Sequence, residues 1–439
     1  MEWWLTLSVI LALLLALFMS GVHVAFAFMF LNIIGFYVWV GGLESLKLLV
    51  PSAFEGIAHF TLVTVPLFIL MGEVLFHTGL AKMLIDNLAK WVGRVPGSLS
   101  LLSIGGGTLF AMMSGSAVSG CAVFGSTLGP EMRRRGYADA MIYPSILGAG
   151  SLATVIPPSI LIVLIATLSR QSVGDMLLAG IIPGFILASF YFLYFVVRAW
   201  LQPHLAPPFE DARASWTARV KALLAIAPLS LLIFLVLGVI FLGVATPSEA
   251  AALGAAGAVI LAAAYGMLTW DGIKKALMSS ISVTAMILMI VMSASAFGQL
   301  LAFTGVAREL VQVATALPVA PIVIVMIMQL ILLVMGTVME DISILLITIP
   351  LFFPIITSLG LDPLWFGILM LINMEIAIVS PPFGLLLFTL KGVTPEASLA
   401  DIYRAAIPVC LIILALLVLL MIFPELVTWL PRQAYKQGG

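Results

Sequence analysis

The amino-acid sequence predicts an all-α polytopic membrane protein built from two inverted-topology repeats, each with a re-entrant helical hairpin and a broken transmembrane helix. The 439 residues are 63% hydrophobic and only 9% charged, whereas a soluble domain has about 25% charged residues. Two apolar stretches are interrupted by consecutive prolines, Pro157–Pro158 and Pro381–Pro382. Short motifs of the first half also recur in the second half at a nearly constant offset.

Ten stretches have the length and hydropathy of a membrane span, since roughly 20 apolar residues are needed to cross the hydrocarbon core. They lie near residues 3–20, 22–40, 61–77, 139–168, 174–199, 220–243, 246–268, 281–303, 363–391 and 405–424. Three further segments, 44–58, 80–93 and 306–316, have an amphipathic pattern that predicts helices lying along the membrane interface.

Two other apolar regions, 97–130 and 318–356, are interrupted midway by small or polar residues. This pattern predicts helical hairpins that enter and leave the membrane on the same side. The tips read "MMSGSAVSGCAVFGS" (112–126) and "VMGTVMEDIS" (334–343). Because irregular backbone at membrane depth requires surrounding protein or a water-filled cavity, we expect both tips to lie inside the molecule.

The recurring motifs divide the chain into two halves. "SGVHVAFAF" from residue 20 matches "LGVATPSEA" from residue 242, and Pro96 before the first hairpin matches Pro318 before the second. These offsets predict a first repeat over 1–201, a polar linker over 202–219 and a second repeat over 220–439. Each half has five crossings plus one hairpin, and an odd number of crossings inverts the second half.

The distribution of positive charge supports one orientation of this topology. If hairpin 97–130 opens toward the cytoplasm, most of the 19 Lys and Arg residues lie on the cytoplasmic side, as the positive-inside rule requires. The opposite side receives only Lys47, Arg170, Arg308, Arg432 and Lys436. Both termini are then predicted to face outward. The net charge is −1, and the absence of a basic stripe argues against a nucleic-acid partner.

The two proline breaks predict a binding site at the membrane midplane. Proline carries no backbone N–H, so each break leaves carbonyl oxygens without an intrahelical donor. Such carbonyls coordinate cations such as sodium, and the N-terminus of a half-helix holds an anion. Inverted repeats with discontinuous helices are typical of secondary transporters. We therefore expect each repeat to build one half of a central site.

The candidate residues lie at the hairpin tips and at the breaks that face them. The first set is Ser114, Gly115, Ser116, Ser119 and Gly120 with Gly150, Ser151 and Thr154. For any of these serines the alternative is close helix packing through small residues, which is common in membranes. The second set is Glu340 and Asp341 with Asn373, Glu375 and Ser380. Acids at depth indicate function, but Glu340 and Asp341 would alternatively cap the next helix, and Glu375 would be a structural partner in the bundle.

Several motifs together resemble a known family. They are "FTLVTVPLFILMGEVL", "SGSAVSGCAVFGSTLGPEMRRRGY", "GSLATVIPPSI", "GVATPSEAAALGA" and "SPPFGLLLF". They resemble the large membrane subunit (DctM-like) of tripartite ATP-independent periplasmic (TRAP) transporters over essentially the whole chain. The resemblance implies a sodium-coupled importer of organic acids in the bacterial inner membrane, working by an elevator movement. It also implies two partners as separate chains, a small four-helix membrane subunit and a periplasmic substrate-binding protein. Both termini would then be periplasmic.

The resemblance also implies which residues bind ligands. The first sodium site would use Ser114, Gly115, Ser116, Gly150, Ala153, Thr154 and Ile156. The second would use Gly336, Thr337, Val338, Ala377, Val379 and Ser380. Substrate candidates are Ser116, Ser119, Ser159, Thr337, Glu340 and Asp341. The chain departs from the family at Glu340 and Asp341, where an Asp and then a Pro are usual, and at Leu386, where Asn is frequent.

Three other functions compete with this one, and one of them, a passive channel, is disfavoured because no segment has the pattern of a ring-forming filter. Another is a stand-alone sodium:dicarboxylate symporter with a similar hairpin architecture, which would need no binding protein. The third is an intramembrane enzyme. A serine protease needs a general base beside its serine, yet no histidine lies in a hairpin or a facing break, and no HExxH motif occurs. We therefore expect a protein that is not an enzyme and whose cofactors are two or more sodium ions.

Overall fold

The computed structural model describes residues 2–91, 97–207 and 215–436, and within these ranges all regular structure is helical. The first half contains α1 (Trp3–Met19), α2 (Val24–Gly35), α3 (Leu46–Ile57), α4 (Thr64–His77), α5 (Leu80–Leu88), α6 (Ser98–Ser114), α7 (Ala117–Arg134), α8 (Asp139–Val155), α9 (Ile160–Leu168) and α10 (Val173–Leu201). The predicted fold class, an all-α membrane protein, is confirmed.

The second half follows after the linker. It contains α11 (Trp216–Phe241), α12 (Pro247–Ala264), α13 (Trp270–Phe303), α14 (Val306–Ala316), α15 (Pro321–Gly336), α16 (Asp341–Ser358), α17 (Pro363–Val379), α18 (Leu385–Val393), α19 (Leu399–Ile422) and α20 (Glu425–Lys436). The hairpins α6–α7 and α15–α16, and the split helices α8–α9 and α17–α18, occur in the same order in both halves. That the second half is inverted in the membrane stays a prediction, and Pro96 lies outside the described residues.

The predicted span 22–40 and the interfacial segment 44–58 form one helical stretch. A π-helical turn, Phe36–Gly41, and a 3₁₀ turn, Gly42–Ser45, join α2 to α3. The Ser45 hydroxyl lies 2.6 Å from the carbonyl oxygen of Phe36 and 2.7 Å from that of Gly42. The Ser45 hydroxyl thus satisfies two carbonyl oxygens where the helical hydrogen-bond pattern changes.

The structure differs from the sequence prediction in the length and number of helices. Eight helical stretches in the described ranges are long and apolar enough to cross a membrane, and nine if the bent pair α8–α9 counts as one span. Helix α13 has 34 residues because Thr269 caps it well before predicted residue 281, accepting a hydrogen bond from the amide of Gly272 at 3.1 Å. Helix α20, which packs against α10, was not predicted.

The helices pack in two groups that share α4. One group joins α2, α3 and α4 to α12 and α13. Its polar ties include the Asn32 amide, which donates to the carbonyl oxygen of Ser293 at 2.8 Å, and a 2.8 Å hydroxyl pair between Thr64 and Ser248. The other group joins both hairpins to both split helices, with α10 and α19 packed against them. The predicted tips and breaks therefore lie in a single packed group.

Candidate functional site

The tip of the first hairpin contacts the first helix break directly. Helix α6 ends at Ser114, and Gly115 follows with a left-handed φ of +56°. A Cβ atom on Gly115 would lie only 2.8 Å from the carbonyl oxygen of Pro158. The Ser116 hydroxyl then caps α7 by accepting a hydrogen bond from the amide of Ser119 at 3.4 Å. Glycine is needed at position 115 both for its backbone conformation and for this close approach.

The first break leaves backbone carbonyl oxygens in the protein interior without their helical hydrogen-bond donors. Helix α8 ends at Val155 and α9 begins at Ile160 with a bend of 40°. A continuing helix would bond the carbonyls of Ala153 and Thr154 to the amides four residues later, but those residues are Pro157 and Pro158. The break residues are buried. Their carbonyl oxygens are therefore suited to coordinate a desolvated cation.

Small residues bring the backbones of α7 and α8 together beside this break. A Cβ atom on Gly120 would lie 3.3 Å from the Cα of Gly150, and a Cβ on Gly150 would lie 3.1 Å from the carbonyl oxygen of Ala117. This close packing is what the alternative interpretation of the small residues predicted. The same packing brings α7 against α8 at Gly150, one of the residues predicted for the first sodium site; that these residues bind sodium stays a prediction.

The tip of the second hairpin rests on α17 in the same way. A Cβ atom on Gly336, the last residue of α15, would lie 2.6 Å from the Cβ of Ala377. The Thr337 hydroxyl donates to the carbonyl oxygen of Val334 at 2.7 Å, and Val338 is 60% exposed. The structure thus brings Gly336 and Ala377 together, while Val338 is largely exposed.

The two acids at the second tip differ in position. Glu340 occupies the N-cap position of α16 but makes no side-chain capping bond among the described residues, and it is exposed. The carboxylate of Asp341 is partly buried and accepts a hydrogen bond from the amide of Ile342 at 2.9 Å. The alternative that these acids cap α16 is therefore wrong for Glu340. Asp341 bonds one amide in the first turn of α16, that of the adjacent Ile342.

The second break repeats the first, with one difference in exposure. Helix α17 ends at Val379 and α18 begins at Leu385, so the carbonyls of Ala377 and Ile378 face the prolines Pro381–Pro382. The Ser380 hydroxyl lies 3.3 Å from the carbonyl oxygen of Ala377. Both Pro–Pro peptide bonds, at 157–158 and 381–382, are cis. Phe383 is 62% exposed, whereas the first break is buried throughout.

Helix α17 carries two buried polar side chains. The Asn373 amide donates to the backbone oxygen of Gln329 at 2.8 Å and to its side-chain oxygen at 2.9 Å, which ties α17 to α15. Glu375 is fully buried, and neither of its carboxylate oxygens has a hydrogen-bond partner among the described residues. The structure supplies Asn373 with a structural partner but gives no such hydrogen bond to Glu375.

The two halves are joined through their breaks. Helix α8 packs against α17, α7 packs against α18, and α9 packs against α16. The Cys121 thiol lies 3.7 Å from the carbonyl oxygen of Leu386, so the first hairpin lies on the far half of the second split helix. Ser159, a predicted substrate contact, is buried and caps α9 by accepting from the amide of Ile162 at 3.4 Å. Its hydroxyl already has a structural partner.

Sequence reasoning missed the close contact between α10 and the first break. A Cβ atom on Gly180 would lie 3.1 Å from the carbonyl oxygen of Val155, and a Cβ on Gly184 would lie 2.7 Å from Cγ1 of Ile156. The Tyr191 hydroxyl also pairs with Ser151 at 3.0 Å in the interior. The spacing of Gly180 and Gly184, two small residues four apart on an apolar helix, was the signal for this close contact.

An all-helical membrane protein with two hairpin tips seated on two broken helices has the architecture of a secondary transporter. The chain belongs to the family described as "Tripartite ATP-independent periplasmic transporter, DctM component", whose model matches residues 11–426. Its homologues are permeases and not enzymes, so this chain is a large permease component of a TRAP transporter.

Three similar proteins place the chain within this family. It is 33% identical to the C4-dicarboxylate TRAP transporter large permease protein DctM of Pseudomonas aeruginosa, over 89% of this chain and 90% of that protein. It is 27% identical to the ectoine TRAP transporter large permease protein TeaC of Halomonas elongata, over 98% of this chain and 100% of that protein. The crystal structure of the Alcanivorax borkumensis YdaH transporter matches with a TM-score of 0.65 and 17% identity, over 88% of this chain and 90% of that one. The last likeness concerns the fold alone.

Proposed function

We propose that this chain is the translocating subunit of a sodium-coupled importer of organic acids that works by an elevator movement. The observation that carries the proposal is the pairing of each hairpin tip with a break whose carbonyls lack amide donors. Gly115 lies against Pro158 in one repeat, and Gly336 lies against Ala377 in the other. Two such pairs support two sodium sites.

The first proposed sodium site combines the tip serines with the carbonyls of the first break. The carbonyls of Ala153 and Thr154 face prolines instead of amides, and Ser114 and Ser116 lie at the tip that contacts this break. The second proposed site combines Thr337 and its neighbours with the carbonyl of Ala377 and the hydroxyl of Ser380. Oxygen ligands from carbonyls and hydroxyls suit a hard monovalent cation.

The substrate is proposed to bind between the tips as an organic acid. Helices α16 and α18 begin near the second break, and neither has a side-chain capping bond among the described residues. The Ile342 amide of α16 already donates to Asp341, and we propose that the remaining first amides of α16 and α18 hold a carboxylate, which the helix dipole favours. Thr337 and Asp341 lie at the second hairpin tip, where α15 ends and α16 begins. The names of the similar proteins indicate carboxylic acids as the substrate class.

The family description supports the proposed partners and location. A tripartite periplasmic transporter needs two further components, and we propose a small four-helix membrane subunit and a periplasmic substrate-binding protein. The chain would reside in the bacterial inner membrane with both termini in the periplasm. Membership of this family does not favour the stand-alone symporter.

The test is the thermal stability of the purified chain in sodium against potassium at equal ionic strength. A ligand that binds only the folded state adds about 2.7 kcal/mol of stability at a hundredfold excess over Kd. We expect a sodium-specific rise that Ser116→Ala and Ser380→Ala each reduce. The same stability in both cations would refute sodium binding by this chain.

The matched control for Ser116→Ala is Ser398→Ala. Ser398 also caps a helix, since its hydroxyl accepts from the amide of Asp401 at 3.1 Å, but it lies outside both breaks. Each substitution removes one helix cap and lowers stability by about 1 kcal/mol in either cation. Only Ser116→Ala should also reduce the difference between sodium and potassium. An equal reduction by Ser398→Ala would show that the effect is on folding.

A further inference from the structure

A cavity of about 530 Å³ lies away from both breaks, between the two groups of helices. Helices α3 and α13 form one wall, and α16 with the turn between α9 and α10 forms the other. Its interior is apolar, with Leu346, Ile349 and Phe353 buried. Glu55 and Arg170 are among its polar lining residues and are exposed. The cavity has the character of a pocket for a molecule with an apolar body and a charged end.

Arg170 has a backbone conformation that an arginine rarely adopts. Its φ is +57°, and it is the single non-glycine residue with a positive φ among those that the structure describes. The amide of Arg170 donates to the carbonyl of Thr167 at 3.2 Å, and that of Gln171 donates to Ala166 at 2.8 Å. Glycine usually occupies this position after a helix end. An arginine held there indicates a role for its side chain.

Two side-chain donors at the exposed edge of the cavity approach the same carboxylate, that of Glu55. Glu55 Oε1 lies 3.8 Å from Arg170 Nη2, and Glu55 Oε2 accepts from Gln299 Nε2 at 3.3 Å. Arg170 belongs to the α9–α10 turn and Gln299 to α13, so the donors come from opposite walls. The side chains of Arg170 and Glu55 are 81% and 55% exposed. Ion pairs this exposed are weak, so another carboxylate can replace Glu55 with little loss.

We propose that this cavity binds an organic carboxylate, held by Arg170 and Gln299 in the place that Glu55 now occupies. The body of the ligand would lie along Leu346 and Phe353. In the predicted orientation Arg170 faces the periplasm, so the cavity serves as an entry site for the transported acid before it reaches the tips. This inference rests on the proposed function for the identity of the acid, and on the cavity itself for the binding chemistry.

The experiment places a reporter at the mouth of the cavity. Thr357 is exposed and lines the cavity, so Thr357→Cys is labelled with an environment-sensitive fluorophore in a background with Cys121→Ala and Cys410→Ala. The probe ligand is hexanoate, a carboxylate with an apolar chain, titrated in choline chloride at constant ionic strength without partner subunits. We expect a saturable change in fluorescence. Arg170→Gln should weaken binding about tenfold, and Arg170→Lys should retain most of it.

Glu55→Gln is the decisive variant. If Glu55 competes with the ligand, its neutralisation tightens hexanoate binding, whereas Arg170→Gln weakens it. If the pair is instead a latch between the two walls, both substitutions break the same contact and move the signal in the same direction, which overturns the proposal. Arg170→Gly must also lose binding, and its loss is not explained by misfolding because glycine suits this turn.

The outcome of this titration can be distinguished from the outcome of the sodium-stability test of the proposed function. The titration needs neither sodium nor the partner chains. A response that depends on Arg170, in a chain whose stability shows no sodium effect, would keep the cavity site and refute the sodium coupling. A sodium effect without any saturable hexanoate response would overturn the cavity site alone.

Discussion

Two glycines on one hairpin helix provide a matched test of how the first tip is positioned. Gly105 and Gly107 lie in the interior of α6, two residues apart and therefore on different faces. A Cβ atom on Gly105 would meet nothing within 4 Å. A Cβ on Gly107 would lie 2.7 Å from the Cβ of Ala149 and 2.8 Å from its Cα on α8. Alanine should therefore have opposite effects at the two positions.

The expected magnitudes follow from these contacts. Gly105→Ala removes the conformational freedom of glycine in a helix and should stabilise the chain by about 0.5–1 kcal/mol. Gly107→Ala has the same stabilising effect on the helix backbone. However, the new methyl group would meet the backbone of Ala149, which cannot move aside as the end of a flexible side chain can. Overpacking of this kind costs about 1–3 kcal/mol, so the net effect should be a loss of about 1–2 kcal/mol.

The assay is thermal unfolding followed by tryptophan fluorescence, in sodium and in potassium. An unfolding entropy of about 2.1 cal/mol/K per residue gives about 0.9 kcal/mol/K for 439 residues, so 1 kcal/mol shifts Tm by about 1 °C. Gly105→Ala should raise Tm equally in both cations. Gly107→Ala should lower Tm and also reduce the sodium increment, because α6 is displaced from α8. Similar shifts for both variants would refute the contact between α6 and α8 as the cause.

Three further predictions use the same assay. Arg170→Gly should raise Tm by about 1 °C, since relief of a left-handed residue is worth about 1 kcal/mol; a fall would show that the Arg170 side chain stabilises the fold. Asn373→Ala should lose about 2–3 kcal/mol because it leaves Gln329 without its buried donor, whereas exposed Ser189→Ala should change stability by less than about 0.5 kcal/mol. Gly115→Ala should abolish the sodium increment, because both its φ of +56° and the 2.8 Å approach to Pro158 exclude a side chain; an intact increment would separate the tip from the first sodium site.

The sequence was sufficient for those features that depend on local chemistry. Hydropathy located the hairpins, whose helices meet within a few residues of the predicted tips at 112–126 and 334–343. The consecutive prolines located both breaks, because a residue without an N–H cannot continue the hydrogen-bond ladder. The amphipathic segments 80–93 and 306–316 contain α5 and α14, which follow Gly79 and Gly305 at corresponding positions of the two halves. Local signals of this kind do not depend on distant partners.

Features that depend on tertiary packing could not be predicted from the sequence. Nothing in the sequence near Glu340 shows that it is exposed while Asp341 is partly buried, because both follow the same apolar run. The contacts of Glu55 with Arg170 and with Gln299 join residues that are 115 and 244 positions apart. Helix α20 contains too many polar and charged residues to be read as a span, and it becomes recognisable as part of the bundle only where it packs against α10.

The packing of helices from one half against helices of the other limits where this chain can be cut into fragments. Helix α7 of the first half lies on α18 of the second, and α9 lies on α16. A fragment that ended in the linker would leave these faces of the hairpin and the split helix uncovered, so neither half is complete as a folding unit. Both halves therefore have to be present in the membrane before the hairpins and split helices can pack as they do in the full chain.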